Sequence, residues 1–175
     1  MSKIIGIDLG TTYSAIAQLD DLGNPEVLAS TDTNKKITAS AVYLKEKNAV
    51  VGDKALDALI ATPKNVATET KRQMENDVVF STQKGEWIDK EGAEEGCYSP
   101  AQVSSFILGK LKEYTSDIKK VVITVPALFA EKARVATLDA AKMAGIEVIE
   151  LINEPTAAAC YYASLPAVKK ITGKV

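Results

Sequence analysis

Histidine is absent from the 175 residues. That gap removes His-based triads and the commonest metal ligand. Only two cysteines occur, Cys97 and Cys160, far apart and outside any C-x-x-C pattern. A zinc site or a redox motif is therefore not expected, and both thiols read as reduced and structural, as in a cytoplasmic protein. Lysine and arginine number 21 against 23 acidic residues, a net charge of −2. No basic excess points to nucleic acid, and no charge run forms a tail. No apolar stretch approaches the roughly 18–20 residues of a membrane helix. The chain passes from Met1-Ser2-Lys3 straight into a strand, which speaks against a signal peptide. Catalysis, if present, must run through carboxylates, lysine, hydroxyls or a bound cation.

What is present centres on Asp8-Leu9-Gly10-Thr11-Thr12. Apolar runs flank it, Lys3 to Ile7 before and Tyr13 to Ala17 after, so it reads as strand, glycine turn, strand. Gly10 permits a tight turn that presents several N–H groups to one anion. Thr11 and Thr12 add hydroxyl donors, and Tyr13 continues the line. Asp8, an oxygen ligand at the end of the first strand, suits Mg²⁺ held through water. The same five residues also fit an ordinary hairpin. No G-x-x-x-x-G-K-[ST] occurs, and Gly6 with Gly10 makes no G-x-G-x-x-G, so a phosphate here would be held by another geometry.

The chain is long enough for one domain or two small subdomains, and its 46% hydrophobic content can fill a core. Residues 3–8, 13–19 and 26–29 read as an antiparallel meander with a turn at Leu22 to Pro25. Short strands are expected at 41–44 and 49–51. A helix follows, capped by Asp53 and burying Ala55, Leu56, Leu59 and Ile60, with Pro63 stopping it. Residues 64–76 are ambiguous, with a short helix expected. Val78 to Phe80 and Glu86 to Ile88 fit a hairpin. Ser99-Pro100-Ala101-Gln102 carries a capping box with proline in the first turn. Val103, Phe106, Ile107, Leu111 and Tyr114 follow at helical spacing. Val121 to Val125 reads as a buried strand, 130–144 as a helix closed by Gly145, 147–152 as a strand, and 155–163 as a helix. The pattern predicts an α/β fold: a mixed five-stranded sheet flanked by helices, with a small α+β insertion at about 38–95. Lys169 to Val175 ends without a cap and reads as a cut before a further element.

Three further runs stand out. Thr70-Lys71-Arg72 also fits a solvated basic pair. Val121 to Ala127 also fits a buried strand ended by Pro126. Asn153-Glu154-Pro155-Thr156 also fits a helix cap. With the first run they appear in one order: IGIDLGTTYS, TKR, VVITVPALF, INEPTAAA. In that order the sequence resembles the N-terminal half of the ATPase domain of the heat-shock protein 70 (DnaK-like) chaperones. The resemblance covers essentially the whole chain and is most specific at INEPTAAA.

The resemblance implies the first lobe, residues 1–175, of an actin-like, ribonuclease-H-type ATPase that binds ATP or ADP with Mg²⁺. Asp8 and Glu154 would lie near the metal's water shell, and Gly10, Thr11, Thr12 and Tyr13 would form the first phosphate loop. Lys71 matches the lysine that positions the attacking water and stabilises charge at the γ-phosphate, a role suited to phosphoryl transfer. Pro126 and Arg134, with Glu154, look like a relay reporting nucleotide state. The implied partners are a second lobe and a peptide-binding domain lying beyond this chain, unfolded client proteins, a J-domain co-chaperone and a nucleotide-exchange factor. The lobe alone is expected to bind nucleotide weakly and not to turn it over. Two alternatives share features: a sugar- or acetate-kinase relative, and a short chaperone-like regulatory module without ATPase activity. The sequence departs from the family at Thr33-Asn34-Lys35-Lys36-Ile37-Thr38-Ala39, where the usual arginine and proline are replaced. Val78 to Tyr98 looks shortened.

Overall fold

A computed structural model describes residues 4–45, 48–91, 93–116, 118 and 120–165. The middle of the turn expected between the strands at 41–44 and 49–51, and the tail at 169–175, lie outside the described residues. Strands β1 (Ile4–Asp8), β2 (Tyr13–Leu19) and β3 (Pro25–Val27) form the meander. β4 (Thr38–Ala39), β5 (Val42–Leu44) and β6 (Ala49–Val51) lead into helix α1 (Asp53–Ala61). β7 (Val66–Ala67), β8 (Val78–Ser81) and β9 (Glu86–Asp89) follow. The remainder is α2 (Pro100–Lys112), β10 (Lys120–Val125), α3 (Glu131–Met143), β11 (Val148–Asn153) and α4 (Glu154–Ser164). Among the described residues no helix is long and apolar enough to cross a membrane.

The main sheet runs β11-β10-β1-β2-β3. β1 pairs antiparallel with β2, and β2 with β3, because short turns permit only that return. β10 pairs parallel with β1 and with β11, joined to β11 by the helical crossover α3. The expected sheet has five strands, and that path is present, but β4 makes a sixth by pairing with Tyr13 and Ser14 of β2. Two residues carry no readable alternation. β4 exists because the turn carries the start of β2 past its pairing with β1.

Alternate residues of these strands face a single core. Ile5, Ile7, Ile16, Val121 and Ile123 are buried together with Val103, Ile107, Leu108 and Leu111 of α2. Each such side chain contributes about 1.5–3 kcal/mol relative to exposure. The α2 start is as expected: Ser99 Oγ accepts from the Gln102 amide at 3.2 Å, and Gln102 Oε1 accepts from the Ser99 amide at 2.8 Å. α3 presents Ala133, Ala140 and Ala141, whose small side chains let it pack closely on α2. It ends before Gly145, at φ 65. Lys112 Nζ donates to the Ala144 and Gly145 carbonyls at 3.3 and 2.8 Å, satisfying acceptors that a helix end leaves open.

Between residues 38 and 95 the chain builds two separate small sheets, β6-β5-β7 and β8-β9. Several details differ from expectation. Gly52, at φ 91, is the cap of α1, so Asp53 is already helical and cannot cap. Its carboxylate pairs instead with Lys35 Nζ at 2.6 Å. Only Ala55 of α1 is buried, and Ile60 is 91% exposed, because a three-stranded sheet covers only a narrow stripe of the helix. Residues 63–73 form 3₁₀ turns at Pro63–Asn65 and Thr70–Gln73 around β7, with no α-helix. Glu69 at φ 53 interrupts any helical run there. The third strand ends at Val27, two residues short of Ala29. Cys160 is exposed and Cys97 half-buried, so neither thiol is a core residue.

Candidate functional site

The glycine turn is built by a close approach. A Cβ on Gly10 would overlap the Tyr13 carbonyl oxygen, so only glycine closes this loop. The Gly10 amide donates to Ser14 Oγ at 3.1 Å, and Ser14 Oγ lies 2.8 Å from Ser40 Oγ. The Ser40 amide donates to the Thr12 carbonyl at 2.8 Å. Thr12 and Tyr13 are exposed and Thr11 is half-buried, so the turn's outer side faces solvent.

Asp8 ends β1 on the open face of the sheet, in register with Thr124 of the parallel neighbour. Thr124 Oγ1 donates to Asp8 Oδ1 at 2.8 Å, and Asp8 itself remains exposed. Thr124 is in turn level with Ile152, two residues before Glu154. Asp8, Pro126 and Glu154 thus cluster at the carboxyl ends of three adjacent parallel strands. Open α/β sheets place ligands outside those ends.

Lys71 comes from a distant segment. Its 3₁₀ turn, Thr70–Gln73, packs on α2. Trp87 Nε1 donates to the Thr68 carbonyl at 3.2 Å just upstream. Downstream, Glu75 Oε1 accepts from the Ala130 amide at 2.9 Å, and Asp77 pairs with Lys132 at 2.8 Å. Ala130 precedes α3 and has no side chain able to cap it, so the Glu75 carboxylate fills that need. Thus fastened, Lys71 is buried except for 9% of its side chain, and Nζ forms a short ion pair with Glu154 Oε1. A buried ammonium needs such a partner, since an unpaired one carries a large desolvation cost.

Arg134 Nε donates to the Phe129 carbonyl at 3.2 Å, and its guanidinium donates to Asn153 Oδ1 at 2.7 Å. The Phe129 amide donates to the Pro126 carbonyl at 3.1 Å. A continuous path therefore runs Pro126, Phe129, Arg134, Asn153, Glu154, Lys71. Asn153 starts α4 without capping it, because its side chain is turned to Arg134.

The predicted residues fall into three groups: the turn, the Asp8 row, and the Lys71–Glu154 pair with Arg134 behind it. Sequence reading missed Ser14, Ser40, Thr124, Asn153 and Glu75. Ser14 had a detectable signal, a hydroxyl in the buried phase of β2 two residues before Ile16. Thr124 had none, since threonine is an ordinary strand former. Among the described residues no three His, Cys, Asp or Glu converge on one point. That donor set fits Mg²⁺, which keeps its waters and takes one or two carboxylates plus substrate phosphates, better than a protein-caged metal. A cleft of about 490 Å³ lies elsewhere, lined by Val51, Lys54, Phe106 and Met143 among others.

The architecture defines the class: an α/β lobe with a mixed sheet and polar groups at the carboxyl ends of its parallel strands. The family model described as Hsp70 protein matches residues 4–165, and the chain belongs to the Hsp70 family of chaperone ATPases. The mixed sheet with its four described helices is consistent with that family's actin-like ATPase fold.

Proposed function

We propose that this chain forms one wall of the ATP site of an Hsp70-type chaperone, in which ATP hydrolysis controls binding and release of unfolded polypeptides. The observation that carries the reading is the Lys71–Glu154 ion pair, which joins residues 83 positions apart at the open end of the sheet. The turn Gly10 to Tyr13 receives the phosphates through the backbone N–H groups of Thr11 and Thr12 and the turn's hydroxyls, with the Gly10 amide held by Ser14. Asp8 and Glu154 would hold Mg²⁺ through its water shell, and the ion would neutralise charge on the phosphate oxygens. Lys71, held in place by Glu154, orients the attacking water and stabilises the charge that develops at the γ-phosphate. Positioning is most of the work, because phosphoryl transfer asks little covalent chemistry of the protein.

The path from Glu154 through Asn153 and Arg134 to Pro126 supports a relay. A phosphate that draws Lys71 away from Glu154 alters the far end of that path, toward a peptide-binding domain. Residues 38–95 act as an insertion subdomain of the lobe. A second lobe supplies the opposing wall and the adenosine pocket. A J-domain co-chaperone and an exchange factor are the partners, with cytoplasm as the setting.

Single-turnover hydrolysis of ATP by the full-length protein tests this. Lys71→Met is expected to slow hydrolysis roughly 10²–10³-fold while nucleotide affinity changes only a few-fold. An unchanged hydrolysis rate would overturn the reading.

A further inference from the structure

Ser14 and Ser40 are buried polar residues, 1% and 4% exposed. A buried hydroxyl is expensive unless it is hydrogen-bonded. Here every bond it makes touches the glycine turn. Ser14 Oγ accepts the Gly10 amide and shares a hydrogen bond with Ser40 Oγ. Ser40 also donates its own amide to the Thr12 carbonyl. The turn is therefore gripped at Gly10 and at Thr12 by one residue pair. Ser40 follows β4, whose Thr38 and Ala39 pair with Ser14 and Tyr13, and it precedes β5 of the small sheet. No regular element separates Ser40 from β5, so movement of the small sheet pulls directly on the turn.

The grip also selects donors. Gly10 N–H is spent inside the protein, whereas the amides of Thr11 and Thr12 have no partner among the described residues. An anion would therefore meet the amides of Thr11 and Thr12, and not that of Gly10.

We propose that Ser40, acting through Ser14, is a positioning residue of the phosphate turn, coupling nucleotide affinity to the placement of residues 38–95. The inference rests on the phosphate-turn reading above. Ser40→Ala removes the hydroxyl without a large change in volume. Ser40→Cys keeps the bulk but donates weakly.

The experiment uses the full-length protein with two readouts: hydrogen exchange of the Gly10 amide without nucleotide, and ADP affinity by displacement of a fluorescent nucleotide. Ser40→Ala should speed Gly10 exchange about 5- to 20-fold and weaken ADP binding about 3- to 10-fold, with Ser40→Cys intermediate. Ser14→Ala, which frees the Gly10 amide outright, should exceed both. Thr12→Val, at an exposed position of the turn, serves as the control. If Thr12→Val weakens ADP binding while Ser40→Ala changes neither readout beyond twofold, the positioning role is wrong. Faster Gly10 exchange in Ser40→Ala with unaltered ADP affinity also overturns it. If ADP affinity is unchanged both in Thr12→Val and in Gly10→Ala, whose Cβ would overlap the Tyr13 carbonyl and deform the turn, the phosphate-turn reading itself fails.

Discussion

On β1, Ile5 and Ile7 are buried while Ile4 and Asp8 are exposed; on β10, Val121 and Ile123 are buried while Thr124 is half-open. The same strands thus make two faces under different rules. The inner face is selected by apolar transfer and close packing, and α2 and α3 cover it. The outer face is selected by which polar groups meet in register, as Asp8 meets Thr124. Because side chains alternate with period two, a one-residue slip would send Asp8 into the core and Ile7 into the site. The alternation that secures the core therefore also delivers the carboxylate to the open end of the sheet. If so, the two faces are separable by mutation.

The largest expected effect is on the inner face. Ile123→Ala should cost about 2–5 kcal/mol in chemical denaturation, a large share of a domain's usual stability of about 5–15 kcal/mol. Its hydrolysis per folded molecule should match the parent, and a change in that rate would break the separation of faces. Asp8→Asn should do the reverse. Stability should stay within about 1 kcal/mol, while Mg²⁺-dependent hydrolysis falls roughly 10- to 100-fold. An unaltered Mg²⁺ dependence would remove Asp8 from the site.

Thr124→Val keeps the β-branched shape and deletes one hydrogen bond to a carboxylate. Hydrolysis should fall about 3- to 10-fold, with Thr124→Ser recovering most of it. Full activity in the valine variant would show that the Asp8–Thr124 contact orients nothing.

The smallest effect concerns a region that serves neither face. The loop from Ser30 to Ile37 is held by two ion pairs, the exposed Lys35–Asp53 and the partly buried Lys110–Asp32. The hydrogen bond and charge of Lys110 hold the Asp32 carboxyl below its ordinary value of 3.8. Its contribution is therefore present above the unfolded value and lost as pH falls through the lower, folded one. For Lys110, partial burial opposes the charge but bonds to Glu113 and Asp32 outweigh it, so its value is raised from 10.5. That contribution is present below 10.5 and lost as pH rises through the raised value. Denaturation midpoints measured from about pH 5 to pH 3 should decline slightly less steeply in Asp32→Asn than in the parent. An identical decline would show the pair to be idle.

Much of the fold was legible because its causes are local. Strand alternation, the Ser99–Gln102 capping box and the Gly145 stop each need only a few neighbouring residues. The cap of α1 was misread as Asp53 because Gly52 and Asp53 both suit a helix start. Only the φ of 91 at Gly52 separates them, and neighbouring structure imposes it. β4 was missed because two residues carry no periodicity. In the site, the glycine turn was visible as a motif. The Arg134–Asn153 bond and the Glu75 carboxylate at the start of α3 were not, since each depends on how α3 lies against a distant segment.

By itself, then, the sequence determined the types and order of most elements, the glycine at the turn and the residue types able to do phosphate chemistry. Propensity, capping and turn geometry act over a few residues and can be read in line. Only the tertiary structure decided that Lys71 meets Glu154 and that Ser40 grips the turn. Those contacts span 83 and 26 residues and form where packing of the sheet, α2 and the 3₁₀ turn brings the segments together. The physical reason is that a buried charge or hydroxyl must find a partner within hydrogen-bond reach, and only the folded chain determines which groups lie there.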